Sequence, residues 1–350
     1  MKVNTKILVT PLNWGLGHAT RCIPLINELR RQSYDVHIAS DGGSLQLLKE
    51  EFPQLHFFEL PSYNISYNSH FVWSMAKKIP AIVNAIEAER EAIQNIVTQC
   101  GIDVVISDNR YGCYSSKTKN IFLCHQQYLL LPWWMKPVSP FINFLHRRYL
   151  NKFHEQWIPD FSNHYLSGIL SETALSNVRY IGALSRFKAS DSEMYYDIAA
   201  VISGPEPQRT FIEQILWSQL QSAPYKSILV CGKISDDRVA VKSRNAEKVN
   251  FLNAHELELL LNKSDVVICR SGYSSLMDMI SLRKRVIFIP TPGQTEQEYI
   301  AQRFQAMKIA PMFTQNDFNI EYAIDVLKDY KGFSKTHDFS TLLAEAVKSI

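Results

Sequence analysis

Short, almost continuously apolar runs separated by segments of helical periodicity recur twice along this chain, and that alternation leaves few folds open. Ile7 to Thr10, Val36 to Ala39, Val104 to Ser107 and Ile121 to Cys124 are apolar, partly β-branched and too short for helices. Strands that are apolar at consecutive positions are buried on both faces, as in a parallel sheet covered by helices. Between them, Phe71 to Cys100 carries Ile79, Ile82, Val83, Ile86, Ile93, Ile96 and Val97 at the spacing of an amphipathic helix, with Pro80 expected in its first turn. The pattern restarts after about residue 190. Ile198 to Ile202, Ile228 to Cys231, Val266 to Cys269 and Val286 to Ile289 read as strands, with helices near Gln208 to Gln221, Ser274 to Leu282 and Thr295 to Met307. At 350 residues the chain is too long for one ordinary α/β core. The expectation is an α/β protein of two tandem Rossmann-like, doubly wound domains with a cleft between them, residues 1–186 and 187–337. The hinge is placed near residue 186, where an apolar strand gives way to the polar stretch Lys188 to Glu193.

Composition narrows the function classes. With 46% hydrophobic and 20% charged residues the chain is globular. A net charge of +3, from 37 basic and 34 acidic residues, is too balanced for a protein whose main partner is nucleic acid. Six cysteines without a CxxC pair read as reduced core thiols. The stretch from Met1 to Lys6 leads into only a few apolar residues before Pro11, so a cytoplasmic location is expected.

Two loops could carry chemistry. After the first strand, Gly15, Gly17 and His18 form a glycine-containing turn that opens a helix at the carboxyl end of a parallel strand, where open α/β sheets bind ligands. His18 titrates near neutrality and is a candidate base; equally, the glycines could only shape the turn while His18 caps it. The later loop is stronger. Asp265 to Asp278 reads as a buried strand, a small-residue turn through Arg270, Ser271 and Gly272, and a new helix opening at Tyr273, Ser274 and Ser275. A helix start offers N–H groups and a dipole that favour phosphate, and Asp278 lies about one turn in, within reach of a ribose. Pro292, Gly293 and Gln294 then open a further helix toward the same edge. The plainer alternative makes Ser271 and Ser274 caps and Asp278 a solvated carboxylate.

The Arg270–Asp278 run, followed by Ile289-Pro-Thr-Pro-Gly-Gln-Thr-Glu-Gln-Glu-Tyr299, resembles the donor-binding signature of GT-B glycosyltransferases related to the bacterial enzyme that adds N-acetylglucosamine to lipid I, the family 28-like group. The amino-terminal half is similar too: Gly15-Leu-Gly17-His18 stands where that family has its Gly-Gly-His loop, and His125-Gln126-Gln127 where it has a His-Glu-Gln run. The resemblance implies the GT-B fold, with a final helix from 338 to 350 packing back on the first domain. It also implies that Gly272 and Ser274 hold phosphate, Asp278 the ribose, and Gln297 with Glu298 the donor sugar, while Gly15, Gly17, His125 and Gln126 lie on the acceptor side. The chain departs from the pattern in three places. The glycine-rich loop opening the second domain is replaced by Ser203-Gly204-Pro-Glu206-Pro-Gln-Arg209, the helix Glu is Asp278, and the second Gln is Glu298.

The expected reaction is inverting transfer of an N-acetylhexosamine or hexose from a UDP-sugar to an acceptor hydroxyl. His18 is the candidate base, and Asp108, at the end of its strand, is the rival base, the residue that orients it, or a turn cap. No Asp-x-Asp occurs, so no metal or cofactor is expected, and helix N-termini with Arg270 or Arg209 would supply positive field unless Arg270 pairs with a carboxylate to hold its turn. Tyr128 to Tyr149 mixes aromatic and basic residues as membrane-interface segments do, or forms an ordinary core helix with a basic outer face. A lipid-linked or cell-envelope glycan acceptor, met peripherally at the inner face of the plasma membrane, is therefore expected. A sugar-nucleotide epimerase or hydrolase, or a non-catalytic nucleotide-sugar binding subunit, shares the same architecture.

Overall fold

The computed structural model describes residues 5–63, 71–233, 240–333 and 339–350, and at 71–82 and 339–340 the backbone alone. Met1–Asn4, Asp338 and the side chains of Ile79, Pro80 and Ile82 lie outside the described residues; the backbone of the helix Phe71–Cys100 begins nine residues before Pro80, which therefore stands in the helix interior and not in its first turn. The chain divides into two compact units, Met1–Arg186 with Asp338–Ile350, and Phe187–His337.

The first unit runs β1 (Lys6–Pro11), α1 (Gly17–Arg31), β2 (Asp35–Ser40), α2 (Gly42–Glu51), β3 (His56–Glu59), α3 (Phe71–Cys100), β4 (Val104–Asp108), β5 (Lys119–Leu123), a 3₁₀ segment (Trp133–Val138), α4 (Ser139–Leu150), β6 (Glu155–Ile158) and β7 (Val178–Tyr180). Its strands form one parallel sheet in the order β3-β2-β1-β4-β5-β6-β7. Chain order reverses between β1 and β4, where Pro11 lies beside Asp108 in the register. A crevice opens at the carboxyl ends of strands at such a switch point. Ile7, Leu8, Val9, Val105 and Ile106 are fully buried, each side chain contributing roughly 1.5–3 kcal/mol relative to exposure.

The second unit runs β8 (Tyr196–Val201), α5 (Gln208–Ser222), β9 (Ser227–Val230), β10 (Ala240–Lys242), β11 (Ala246–Val249), α6 (Ala254–Asn262), β12 (Ser264–Cys269), α7 (Tyr273–Ser281), β13 (Arg285–Phe288), α8 (Thr295–Ala306) and α9 (Ile320–Leu327). The sheet order is β10-β11-β9-β8-β12-β13, parallel except for β10, with the switch between β8 and β12. The last helix, α10 (Phe339–Lys348), belongs to the first unit: Gln32 and Tyr34, past the end of α1, donate to the carbonyls of Ala344 (2.9 Å) and Val347 (3.1 Å).

Candidate functional site

In the first unit the switch point holds a charged cluster. The β1–α1 turn, with Gly15 at φ +72, brings His18 and Arg21 onto the first turn of α1, three residues apart and so on one helix face. Both meet Asp108, the fully buried last residue of β4. His18 Nδ1 lies 3.1 Å from Asp108 Oδ1, Arg21 Nε donates to Oδ2 at 2.9 Å, and the Arg21 terminal nitrogen Nη2 bonds Oδ1. Arg21 also reaches His125 Nδ1 at 3.5 Å, just past β5. Behind this group Arg110, fully buried, bonds Asp41 at 2.7 Å and Glu89 of α3, which fixes the backbone beyond Asp108. Asp108 is therefore a buried, doubly engaged carboxylate rather than a turn cap.

His18 Nδ1 stands between Asp108 Oδ1, which only accepts, and Arg21 Nη2 at 3.0 Å, which only donates; the tautomer that donates from Nδ1 to Asp108 leaves Nε2 as the basic nitrogen. Burial opposes ionisation of Asp108, but Arg21 and His18 overcome it and hold the carboxyl well below its usual range. Burial, then the Arg21 cation, lowers His18 below 6.5, against the pull of Asp108. The imidazole is thus neutral at pH 7 and able to take a proton, with its ring oriented by an anion. Arg21 was not singled out as functional by its sequence context; its spacing from His18 was the available signal.

In the second unit three loops converge at the carboxyl edge. Gly272, at the N-cap of α7, has no side-chain cap. Its neighbour Ser271 donates its hydroxyl to the carbonyl of Gln297 in α8 at 2.7 Å, and a β-carbon at Gly272 would lie 4.0 Å from Gln297 Nε2. The two helix starts are therefore adjacent. Gly204, at φ +113 past β8, approaches Thr291 in the same way: a β-carbon there would lie 3.8 Å from the Thr291 hydroxyl. That hydroxyl is buried and has no hydrogen-bond partner among the described residues. Tyr273 is buried, Ser274, Ser275 and Asp278 are half-buried along α7, and Pro292 and Gly293 are exposed. Cys269 is pushed up to about 12 by burial and by the Asp278 charge, which places Asp278 within electrostatic reach of the end of β12.

Other residues of this region are engaged within the unit. Gln297 Oε1 accepts from Thr291 N at 2.8 Å and Glu298 Oε1 from Gly293 N at 2.9 Å, so both hold the turn entering α8. Among the described residues Arg270 bonds no carboxylate. Its guanidinium donates to the carbonyls of Ile289, Pro290 and Gln208 at 3.1 Å each and to Gln315 Oε1 at 2.7 Å, and burial lowers it to about 10. It clips together the loops after β12 and β13 and the start of α5. Arg209 is neutralised by Glu213 (3.0 Å) and Glu206, so the Glu206 carboxylate is directed to its own helix turn. The positive field at this edge then comes from helix termini rather than from these two arginines.

The segment read as either an interfacial helix or a core helix is turned apolar side outward. The 3₁₀ segment buries none of its residues, and α4 buries only Asn143, His146 and Leu150. Trp133 (79% exposed), Phe141 (64%) and Phe144 (58%) stand at the surface beside exposed Lys136, Arg147 and Arg148. Gln126, past His125, accepts from His146 Nε2 at 2.9 Å and so ties this surface to β5. Among the described residues no helix is long and apolar enough to cross a membrane, and no group of His, Cys, Asp and Glu is arranged to hold a metal ion.

Comparison with known proteins agrees with the fold. Residues 198–341 match the glycosyltransferase family 28 C-terminal domain. An uncharacterized glycosyltransferase of Methanosarcina mazei is 22% identical over 97% of this chain and 94% of its own length. The glycotransferase of kitacinnamycin superposes with a TM-score of 0.67 at 13% identity, covering 100% of this chain and 94% of the other. Acinetobacter baumannii MurG gives 0.60 at 11% identity, with 99% of each chain covered.

Proposed function

We propose that this chain, a family 28-like protein of GT-B fold, transfers a hexose or N-acetylhexosamine from a UDP-sugar to a hydroxyl of a lipid-linked or glycan acceptor, with inversion. The observation that carries the reading is the meeting of the α7 and α8 starts through Ser271 and Gln297, beside the Thr291 hydroxyl, which has no partner among the described residues. Oriented N–H groups and helix dipoles favour a diphosphate without a metal ion. Asp278 supplies an acceptor for ribose hydroxyls, and the Gln297 and Glu298 turn borders the sugar. In the first unit His18 Nε2 takes the proton of the acceptor hydroxyl as its oxygen attacks the anomeric carbon. The bond from that carbon to the diphosphate oxygen breaks, UDP leaves as the anion, and the proton passes from His18 to solvent.

Thermal unfolding with UDP, UDP-N-acetylglucosamine, dTDP and GDP tests the donor assignment. A ligand that binds only the native state stabilises it by about 2.7 kcal/mol at a hundredfold excess over Kd. A rise with uridine nucleotides that Asp278→Ala loses is expected; no shift with any nucleotide at millimolar concentration would sink the assignment.

The exposed aromatic and basic surface of the 3₁₀ segment and α4 supports peripheral attachment to an anionic membrane. The protein is expected to pellet with vesicles containing phosphatidylglycerol at low salt, and a Phe141→Ser, Phe144→Ser variant is expected to stay in the supernatant. Equal sedimentation of the two would remove this surface from consideration.

A further inference from the structure

Three side chains on one face of α1 converge on a single carboxylate. His18, Arg21 and Cys22, at spacings of three and four residues, all meet Asp108 at the end of β4. Arg21 takes both oxygens: Nε donates to Oδ2 at 2.9 Å and Nη2 to Oδ1. Cys22 Sγ lies 3.5 Å from Oδ2, and burial holds its thiol well above the usual range, so it stays neutral. His18, 3.1 Å from Oδ1, therefore shares that oxygen with a guanidinium that already compensates the charge. Past β5, His125 Nδ1 lies 3.5 Å from Arg21 Nη1, and Cys124 is the other thiol within electrostatic reach of Arg21. Among the described residues, α1, β4 and the strap after β5 thus bring together one carboxylate, one guanidinium, two thiols and two imidazoles.

The charge count matters because an interior holds a paired charge far better than an odd one. With Arg21 in place the carboxylate has its cation, and a proton on His18 would add a second one, since Arg21 Nη2 is 3.0 Å from His18 Nδ1. Like charges at that separation disfavour the protonated form. The start of α1 acts in the same direction, because His18 is the second residue of the helix and lies at its positive end. Exposure separates the roles: 16% of the His18 side chain is exposed, against 3% for Arg21 and none for Asp108, so of the three it is His18 that meets solvent. Without Arg21, the nearest group able to supply Asp108 with a counter-charge is His18 itself.

We propose that Arg21 is a positioning residue: it is the resident counter-ion of Asp108, and by holding both oxygens it keeps His18 a neutral imidazole, oriented by the carboxylate but not drawn into an ion pair with it. That this imidazole serves as a base rests on the transferase reading above. Removing Arg21 converts His18 into the counter-ion of Asp108, an imidazolium that cannot accept a proton. Protein labelled with ¹³C,¹⁵N-histidine tests this by NMR, the His18 resonance being identified by its absence from His18→Ala. In Arg21→Met the His18 midpoint is expected to rise by at least about one pH unit, a tenfold change in proton affinity. Arg21→Lys, which restores the charge, is expected to return the midpoint toward that of the wild type. A raised folded-state value adds stability that is present below the unfolded midpoint of about 6.5 and lost as pH rises through the folded one, so Arg21→Met should melt higher at mildly acid than at mildly alkaline pH. Its kcat/KM for transfer should be lowered at neutral pH and recover as pH rises, a dependence that an ion pair with a purely structural role would not produce. A His18 midpoint unmoved in folded Arg21→Met, or as high in Arg21→Lys as in Arg21→Met, overturns the proposal. If Arg21→Met shows no cooperative melt at either pH, Arg21→Gln replaces it, keeping an N–H for Asp108 without the charge, and an unmoved midpoint there overturns the proposal. Undiminished transfer by His18→Ala, with the titrations as expected, would instead retain Arg21 as the counter-ion and overturn His18 as the base.

Discussion

His18→Ala is expected to lower kcat for sugar transfer by about 10²–10⁴, the usual contribution of a positioned general base, or about 3–5 kcal/mol of barrier. Stabilisation by UDP should be unchanged, because no donor contact is assigned to the first unit. In the wild type, kcat/KM should fall on the acid side with a midpoint below 6.5, because burial and Arg21 lower His18 and activity requires its neutral form. The sign follows from the shift: protonation disables the base, and it sets in only as pH drops through the lowered value. An alanine variant with undiminished transfer would return the chain to the class of nucleotide-sugar binding subunits. A midpoint above 7 that persists in the variant would assign the acid limb to another group.

Asp108→Ala is expected to cost about 3–5 kcal/mol of stability, because it leaves the Arg21 guanidinium, 3% exposed, without its counter-charge in the interior. For a unit of this size that corresponds to a fall in Tm of roughly 6–20 °C. The loss comes from the stranded cation rather than from the contact itself. Asp108→Ala combined with Arg21→Met should therefore recover much of the stability, since an apolar replacement of a buried pair is often neutral or better. Activity should not return in the double variant, because His18 Nδ1 has lost the acceptor that orients it. Melting of wild type and the single variant within about a degree would show that water already reaches Arg21, and would remove the argument that burial sets the properties of this cluster.

Eight strands of the two sheets were legible in the sequence, because a strand buried on both faces must be apolar at consecutive positions, and that is a local property. β3, with its run His-Phe-Phe-Glu, and β10 and β11, with Ala-Val-Lys and Ala-Glu-Lys-Val, escaped because strands at or near a sheet edge face solvent and need no such run; β6 escaped although it is buried, because Glu155 and Gln156 leave it no apolar run, and β7 is legible only as the apolar strand that ends before the hinge. Candidate loops were legible for the same local reason: glycines and small residues between a strand and a helix mark a turn at the ligand-binding edge. What those residues contact was decided only by strand order. Asp108 meets Arg21 across 87 positions of sequence because β1 and β4 are neighbours, and nothing near either residue records that. Arg270 was legible as a cation beside a phosphate-type turn, yet the fold surrounds it with carbonyl oxygens and makes it a clip. The apolar residues of α4 show a similar limit, since aromatic side chains at helical spacing fit a core or a surface equally well until the neighbouring elements are in place. The sequence by itself determined the kind of elements and the location of their loops, through periodicity and turn chemistry. Burial, charge pairing and the outward face of α4 depend on contacts between distant segments, and only the tertiary structure decided them.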